Sequence, residues 1–292
     1  MEQELKYLLR ESRKLEVSKV NKFIHNFINL GVFLCISSLF IALCHFSTLS
    51  NYLLFLSPVF FGIIFFAYFI LVVHEGSHLM FLVAKSTKTK RYLNRVFSYP
   101  IAALSFQDYI EDWESGHLEH HRNPIVGDKR PDPQNCPEFI HDKRGDLLKE
   151  VFKILTRPGY AFFKQNSCVK MDKNFLYKRV CLGFLSWGSL LLINIIFFKW
   201  WLIIPQILSA NITMILNLIK VSMEHGGNRR LQKDVFLRSK SSLFLGDKIL
   251  MPMNIALHFE HHLNMHVPWY RLKKFYNITS KSSSEQLLSL VH

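Results

Sequence analysis

The chain has 292 residues, 49% of them hydrophobic and 14% aromatic, and a formal net charge of +14. Its 26 phenylalanines and its mean hydropathy of +0.13 exceed what a soluble domain ordinarily carries. With the charge concentrated between apolar runs, this composition excludes an ordinary soluble enzyme and points to a multi-pass membrane protein with basic loops.

Met1 to Lys22 is charged and compatible with an amphipathic, interfacial helix; it lacks the small-residue cleavage site of a signal peptide and is read as a retained cytoplasmic segment. Phe23 to Phe46 and Tyr52 to Val73 are each long enough to cross a hydrocarbon core, and the Ser47 to Asn51 link makes them a tight hairpin. The basic N-terminus stays inside by charge bias, so the second helix returns to the cytoplasmic surface. Leu79 to Ala84 is expected to finish that helix, and Lys85 to Arg95 to form a basic strip. Val96 to Phe106 is apolar but too short to span and contains Pro100, which suits a re-entrant or interfacial segment. Asp108 to Arg179 reads as a basic cytoplasmic region with a Pro-rich loop at Gly127 to Pro137 and an amphipathic stretch at Gly145 to Leu155. Val180 to Phe198 and Trp200 to Val221 form a second hairpin. Beyond it only Leu243 to Leu257 is apolar, and is expected to be a capping or interfacial helix. Cys35, Cys44 and Cys181 lie in apolar runs and Cys136 and Cys168 in a basic loop; without a CxxC pair they give neither a disulfide framework nor a cysteine zinc site.

Nine of the 14 histidines fall in four places: His74 and His78; His117, His120 and His121; His225; and His258, His261 and His262. His74 and His78 share one helical face, and HLEHH and HFEHH repeat the spacing i, i+3, i+4, so each of these two groups is expected to aim three imidazoles at one point. The topology puts all four places on the cytoplasmic side, next to the membrane. The other five histidines, His25, His45, His141, His266 and His292, are read as surface or hydrogen-bonding residues. Nine neutral imidazoles exceed what one ion takes and suit two, and a nitrogen-rich site with open positions fits iron and oxygen chemistry. Glu75, Glu119, Glu224 and Glu260 each adjoin a histidine of these groups and are candidates to orient imidazoles and offset metal charge. On its own, His74-Glu75-Gly76-Ser77-His78 also spells the HExxH motif of zinc metalloproteases, with Glu75 as general base.

The boxes His74-x-x-x-His78, His117-x-x-His120-His121 and His258-x-x-His261-His262, in this order and topology, resemble those of the integral-membrane fatty acid desaturase and hydroxylase superfamily. Glu224-His225-Gly226-Gly227 is similar to the additional histidine motif of bacterial-type acyl lipid desaturases. Asp132-Pro133 and the run from His261 to Leu272 also fit, with Met265 standing where the family's ending usually has its first proline. The resemblance covers about Val59 to Tyr276. It implies an all-α integral membrane fold: four transmembrane helices in two hairpins, a re-entrant or interfacial segment, and a cytoplasmic histidine-rich cap holding a di-iron site. A single desaturase-like domain would cover residues 1–292, with a cytoplasmic segment 1–22, hairpins 23–84 and 180–221, and cap regions 85–179 and 222–292, both termini being cytoplasmic. His74, His78, His117, His120, His121, His225, His258, His261 and His262 would hold two Fe ions, with Glu75 and Glu224 behind them.

The reaction implied is dioxygen-dependent insertion of a double bond into a fatty acyl chain; the same boxes serve lipid hydroxylases and ketolases. The substrate would lie in an apolar channel among the helices, and Asn211, Thr213 and Asn217 either line it or bond between helices. No HPGG-type motif of a fused cytochrome is present, so electrons are expected from an external ferredoxin or b-type cytochrome. The membrane and a lipid are the expected partners, and nucleic acid is not.

Overall fold

The computed structural model describes residues 2–122, 144–157, 160, 173–226, 235–282 and 285–291, and every regular element among them is helical. The Pro-rich loop, Asp132-Pro133, Cys136, His141, Cys168, Gly227 and His292 lie outside the described residues.

Helix α1 (Glu2–Arg13) has acidic residues in its first turn and Arg10 and Arg13 in its last, the polarity that the helix dipole favours. Asn21 starts α2 (Lys22–Ser47) by accepting the Phe23 N–H at 2.9 Å. A three-residue turn leads to α3 (Asn51–Ser77), capped by Ser50. Pro58 in α3 removes the N–H that would serve the Leu54 carbonyl, and the Ser57 hydroxyl donates to that carbonyl instead, at 2.7 Å. Over Phe69–His74 the helix widens into a π-helical turn whose residues are all buried.

The expectation that Leu79 to Ala84 continues this helix is corrected. The helix ends at Ser77, Leu79 takes a left-handed φ of 56°, and Met80 to Val83 run buried and non-helical. That run is apolar because it is packed inside. Side chains replace the missing helical bonds: Asn94 pairs with both backbone groups of Leu82, Asn26 with both of Val83, and Asn29 donates to the Phe81 carbonyl at 2.8 Å.

The basic strip and the following apolar segment are one amphipathic helix, α4 (Thr87–Leu104), so the segment expected to begin at Val96 is its second half. A second π-helical turn, Tyr109–Ser115, feeds α5 (Gly116–Arg122). Helix α6 (Arg144–Thr156) matches the expected amphipathic stretch. The second pair of long helices is α7 (Lys173–Phe197) and α8 (Ile203–His225). Of Leu243 to Leu257 only α9 (Asp247–Leu250) is helical, a further correction: Gly246, Met253 and Asn254 have positive φ, and Pro252 lacks the N–H a helix would need. Helices α10 (His258–Leu263), α11 (Trp269–Thr279) and α12 (Glu285–Val291) complete the chain.

Among the described residues, four helices can cross a membrane by length and composition: α2, α3, α7 and α8 with the turn before it. The inner pair, α3 and α8, meets at Gly62, where any Cβ would stand under 3 Å from Ile212; Thr213 Oγ1 donates there to the Gly62 carbonyl at 3.1 Å. The outer pair presents Phe27, Leu34, Leu39, Phe184, Leu185 and Ile196 outward, a surface that water disfavours and lipid accepts. At the end of the bundle where α3 and α8 finish, Leu8 packs with Phe259, Leu263, Phe275 and Leu290 in one core. Asn264, just past the third histidine box, ties that box to the N-terminal segment by donating to Ser12 Oγ at 2.8 Å and to Glu16 Oε1 at 3.1 Å.

Candidate metal centre

All nine histidines singled out above converge at this end of the bundle. His74 and His78 close α3, with Gly76 between them pressed on α4; a Cβ there would stand under 3 Å from Ser98 Oγ. Helix α5 brings His117, His120 and His121, α8 ends on His225, and α10 brings His258, His261 and His262.

They form two groups rather than a single point: His74, His78, His117, His121 and His261 in one, and His120, His225, His258 and His262 in the other. Within each group the facing nitrogens all lie within 4.8 Å of one another. This corrects the expectation that each HxxHH box aims three imidazoles at one place. At about 100° per residue, i+4 lies about 40° to one side of i and i+3 about 60° to the other, so a box wedged between two centres serves both. The i, i+4 pair of α5 joins the first group and its His120 the second. The pair of α10 joins the second and its His261 the first. His121 stacks on His262 with ring centres 4.2 Å apart, so the groups abut.

The nitrogens crowd together as ligands of a shared ion would. His117 Nε2 is 3.1 Å from His78 Nε2 and 3.2 Å from His121 Nε2, His261 Nε2 is 3.1 Å from His121 Nε2, and His258 Nε2 is 3.0 Å from His225 Nε2. Imidazoles bound to one ion at about 2.0–2.1 Å, with bonds at right angles, hold their nitrogens about 3 Å apart. His262 Nε2 and both nitrogens of His74 are buried without a hydrogen bond, a costly state for an imidazole that nothing coordinates. Burial first, then the neighbouring imidazoles, holds His78, His121, His258, His261 and His262 well below the usual histidine range. They stay neutral, as metal ligands must. The residues therefore fit metal ions.

Of the four candidate carboxylates, two face imidazoles. Glu75 Oε1 stands 3.4 Å from His74 Nδ1, and Glu224 Oε2 stands 3.4 Å from His258 Nε2. His225 Nδ1 is 2.9 Å from the Arg238 carbonyl, which makes that nitrogen the N–H and leaves Nε2 with its lone pair toward the group. The other two carboxylates point elsewhere. Glu119 is half-buried and pairs with Arg122 at 3.8 Å; Glu260 accepts from Ser241 and, at 2.5 Å, from Thr279, which fastens α10 to α11.

Both groups open on one cavity, which encloses about 810 Å³ of empty space, its mouth included. Phe66, Phe69, Ile70 and Trp113 form its apolar side, and His74, His117, His120, His225 and His258 reach it. Of the three polar residues expected to line a channel or bond between helices, Thr213 does both, through this wall and its bond to Gly62, Asn217 lines the cavity, and Asn211 does not line it. Sequence reasoning passed over Lys220, which is buried on this wall and donates to Glu224 Oε2 at 2.7 Å. The available signal was a lone charge inside an apolar span, four residues before an acid. Also unforeseen is Asp112, paired with Arg179 of α7 and bonded to the Asp108 N–H at 2.7 Å, which pins the lead-in to the second box.

Four membrane-length helices, capped by two histidine groups that face one cavity, define a membrane protein built to hold metal. The family model for fatty acid desaturases matches residues 50–291, and the chain belongs to that family. It is thus an oxidoreductase of the desaturase and hydroxylase type, working on lipid in a membrane setting. Neither a curated protein nor a solved structure gives a match.

Proposed function

We propose that this protein is a di-iron, dioxygen-dependent desaturase that inserts a double bond into a lipid acyl chain, with the nine histidines as ligands to two irons. The observation that carries the reading is that two abutting histidine groups, one of five and one of four, open on the same cavity. Bound there, the iron pair supplies dioxygen activation. A CH2–CH2 unit loses two hydrogens, dioxygen takes up those two, two electrons and two protons, and the products are a double bond and two waters.

The chain's own residues do the holding. Phe66, Phe69 and Ile70 wall the cavity with apolar surface that a methylene chain can displace water from. A neighbouring recess, about 310 Å³ with its open mouth included and lined by Phe65, Phe69, Ile101, Leu104 and Trp187, offers the tail an apolar path. Glu75 stands behind His74 at Nδ1 and the Arg238 carbonyl fixes the tautomer of His225, while Glu224 lies on the metal-facing side of His258, 3.4 Å from its Nε2. A metalloprotease would need Glu75 at a substrate, but its carboxylate is buried against His74 and does not line the cavity. The electrons come from a separate ferredoxin or b-type cytochrome, and the chain is one multi-pass domain with both termini on the cytoplasmic side, as the basic N-terminal segment favours.

Expression with a matched electron donor, followed by lipid profiling, tests this. The expected outcome is a new acyl species lighter by two hydrogens that is lost without oxygen. A species heavier by one oxygen would make the protein a hydroxylase instead.

A further inference from the structure

The cavity beside the histidines is more polar than a plain hydrocarbon chain would want. Gln107, Asp112, Asn217, Lys220 and Glu224 line it together with histidines of both groups. A polar group left unpaired under a methylene loses its hydrogen bonds to water and gains none, so a site for mid-chain carbon would be expected to have apolar walls here. The recess just beyond has such walls, and it shares Phe69, Ser105 and Thr213 with the cavity.

The charges on this wall are matched internally. Lys220 pairs with Glu224, and Asp112 with Arg179, so each pair sums to zero. What is left over is chiefly donor capacity, although Glu224 Oε1 is also buried without a partner. Lys220 gives one of its three N–H groups to Glu224 and is 6% exposed. Gln107 spends its carbonyl oxygen on the Trp113 indole N–H at 2.9 Å, leaving its amide hydrogens. Asn217 makes no side-chain hydrogen bond to the described residues. Spare donors outnumber spare acceptors on a wall whose ion pairs are closed, at the mouth of an apolar recess, which describes a site for an uncharged oxygen joined to a chain.

We propose that the substrate carries an uncharged hydrogen-bond acceptor, a hydroxyl or an amide or ester carbonyl, within a few bonds of the C–H that reacts. Oxidation then falls next to the polar end of the lipid, and the tail runs on into the recess. This rests on the desaturase reading for the reaction, but not for the binding preference.

The two are separated by measuring binding and products independently. Protein in nanodiscs, metal-free and iron-loaded, is titrated with hexadecanol and with hexadecane, which share a chain length and differ in the oxygen. Hexadecanol should bind at least about tenfold more tightly, a ratio equivalent to about 1.4 kcal/mol. Asn217→Leu and Gln107→Leu should each shrink that ratio several-fold with iron content unchanged, while Asn217→Ser, which keeps a donor, should preserve it. Iron-loaded protein given hexadecanol, donor and oxygen should place the new double bond within a few carbons of the hydroxyl. Equal binding of the two probes, or a mid-chain double bond, would overturn the proposal. Failure of the native protein to bind iron or oxidise any lipid would refute the desaturase reading, and the metal-free titration would still decide the preference for oxygen.

Discussion

The two histidine groups are built alike but provisioned differently. The first has five imidazoles and a neighbouring carboxylate, Glu75, whose Oε2 has no hydrogen-bond partner; the second has four, with Glu224 held by the buried Lys220. Each takes an i, i+4 pair from one box helix and the i+3 residue of the other, so α5 and α10 are cross-linked through the site. Neither group is complete until both box helices are docked. The first has one imidazole beyond the four of a tetrahedral site, and the second has none.

That difference predicts the largest effect. His225→Ala or His258→Ala, which leaves three imidazoles in the second group, should lower bound iron from about two per chain to about one and abolish product. His74→Ala leaves four in the first group and should retain more iron than either. Equal losses from both groups, by metal analysis of membrane-inserted protein, would erase the distinction between them.

The carboxylates should follow with smaller effects. Residues that orient metal ligands typically alter affinity by about 10–100-fold, so Glu75→Gln should weaken iron binding within that range, with added iron restoring part of the activity. Glu224→Gln should cost more, because it also strands Lys220; breaking a buried ion pair from one side costs about 3–5 kcal/mol. Changing both, as Lys220→Met with Glu224→Gln, should recover part of that loss, and a double-mutant cycle in thermal unfolding measures how much.

The smallest predicted effect concerns how the first box is seated. Gly76→Ala would drive a methyl into Ser98 and should destabilise by about 1–3 kcal/mol, as overpacking does. Ser98→Ala removes the obstructing hydroxyl and should restore part of the lost melting temperature.

Much of this arrangement is legible in the residues. The four apolar runs define the long helices within a few residues, apart from a longer start to α7 and a longer end to α8. The histidine spacings mark the residues that the fold collects. The division of each HxxHH box between two centres is not legible, since i, i+3 and i+4 fall on one broad stripe until a second centre stands on its other side. Nor is the end of α3 at Ser77. Leu79 to Ala84 is as apolar as a helix would be, and what stops it is a set of asparagines on α2 and α4 that bond its backbone. Lys220 was visible as a charge in an apolar run, but only the fold places it on the cavity wall beside Glu224.

The most direct test of the central claim is a metal count on the protein purified from iron-replete cells. About two irons per chain are expected, removed by a chelator and restored by ferrous iron. A single zinc per chain, with no iron taken up on reconstitution, would contradict it.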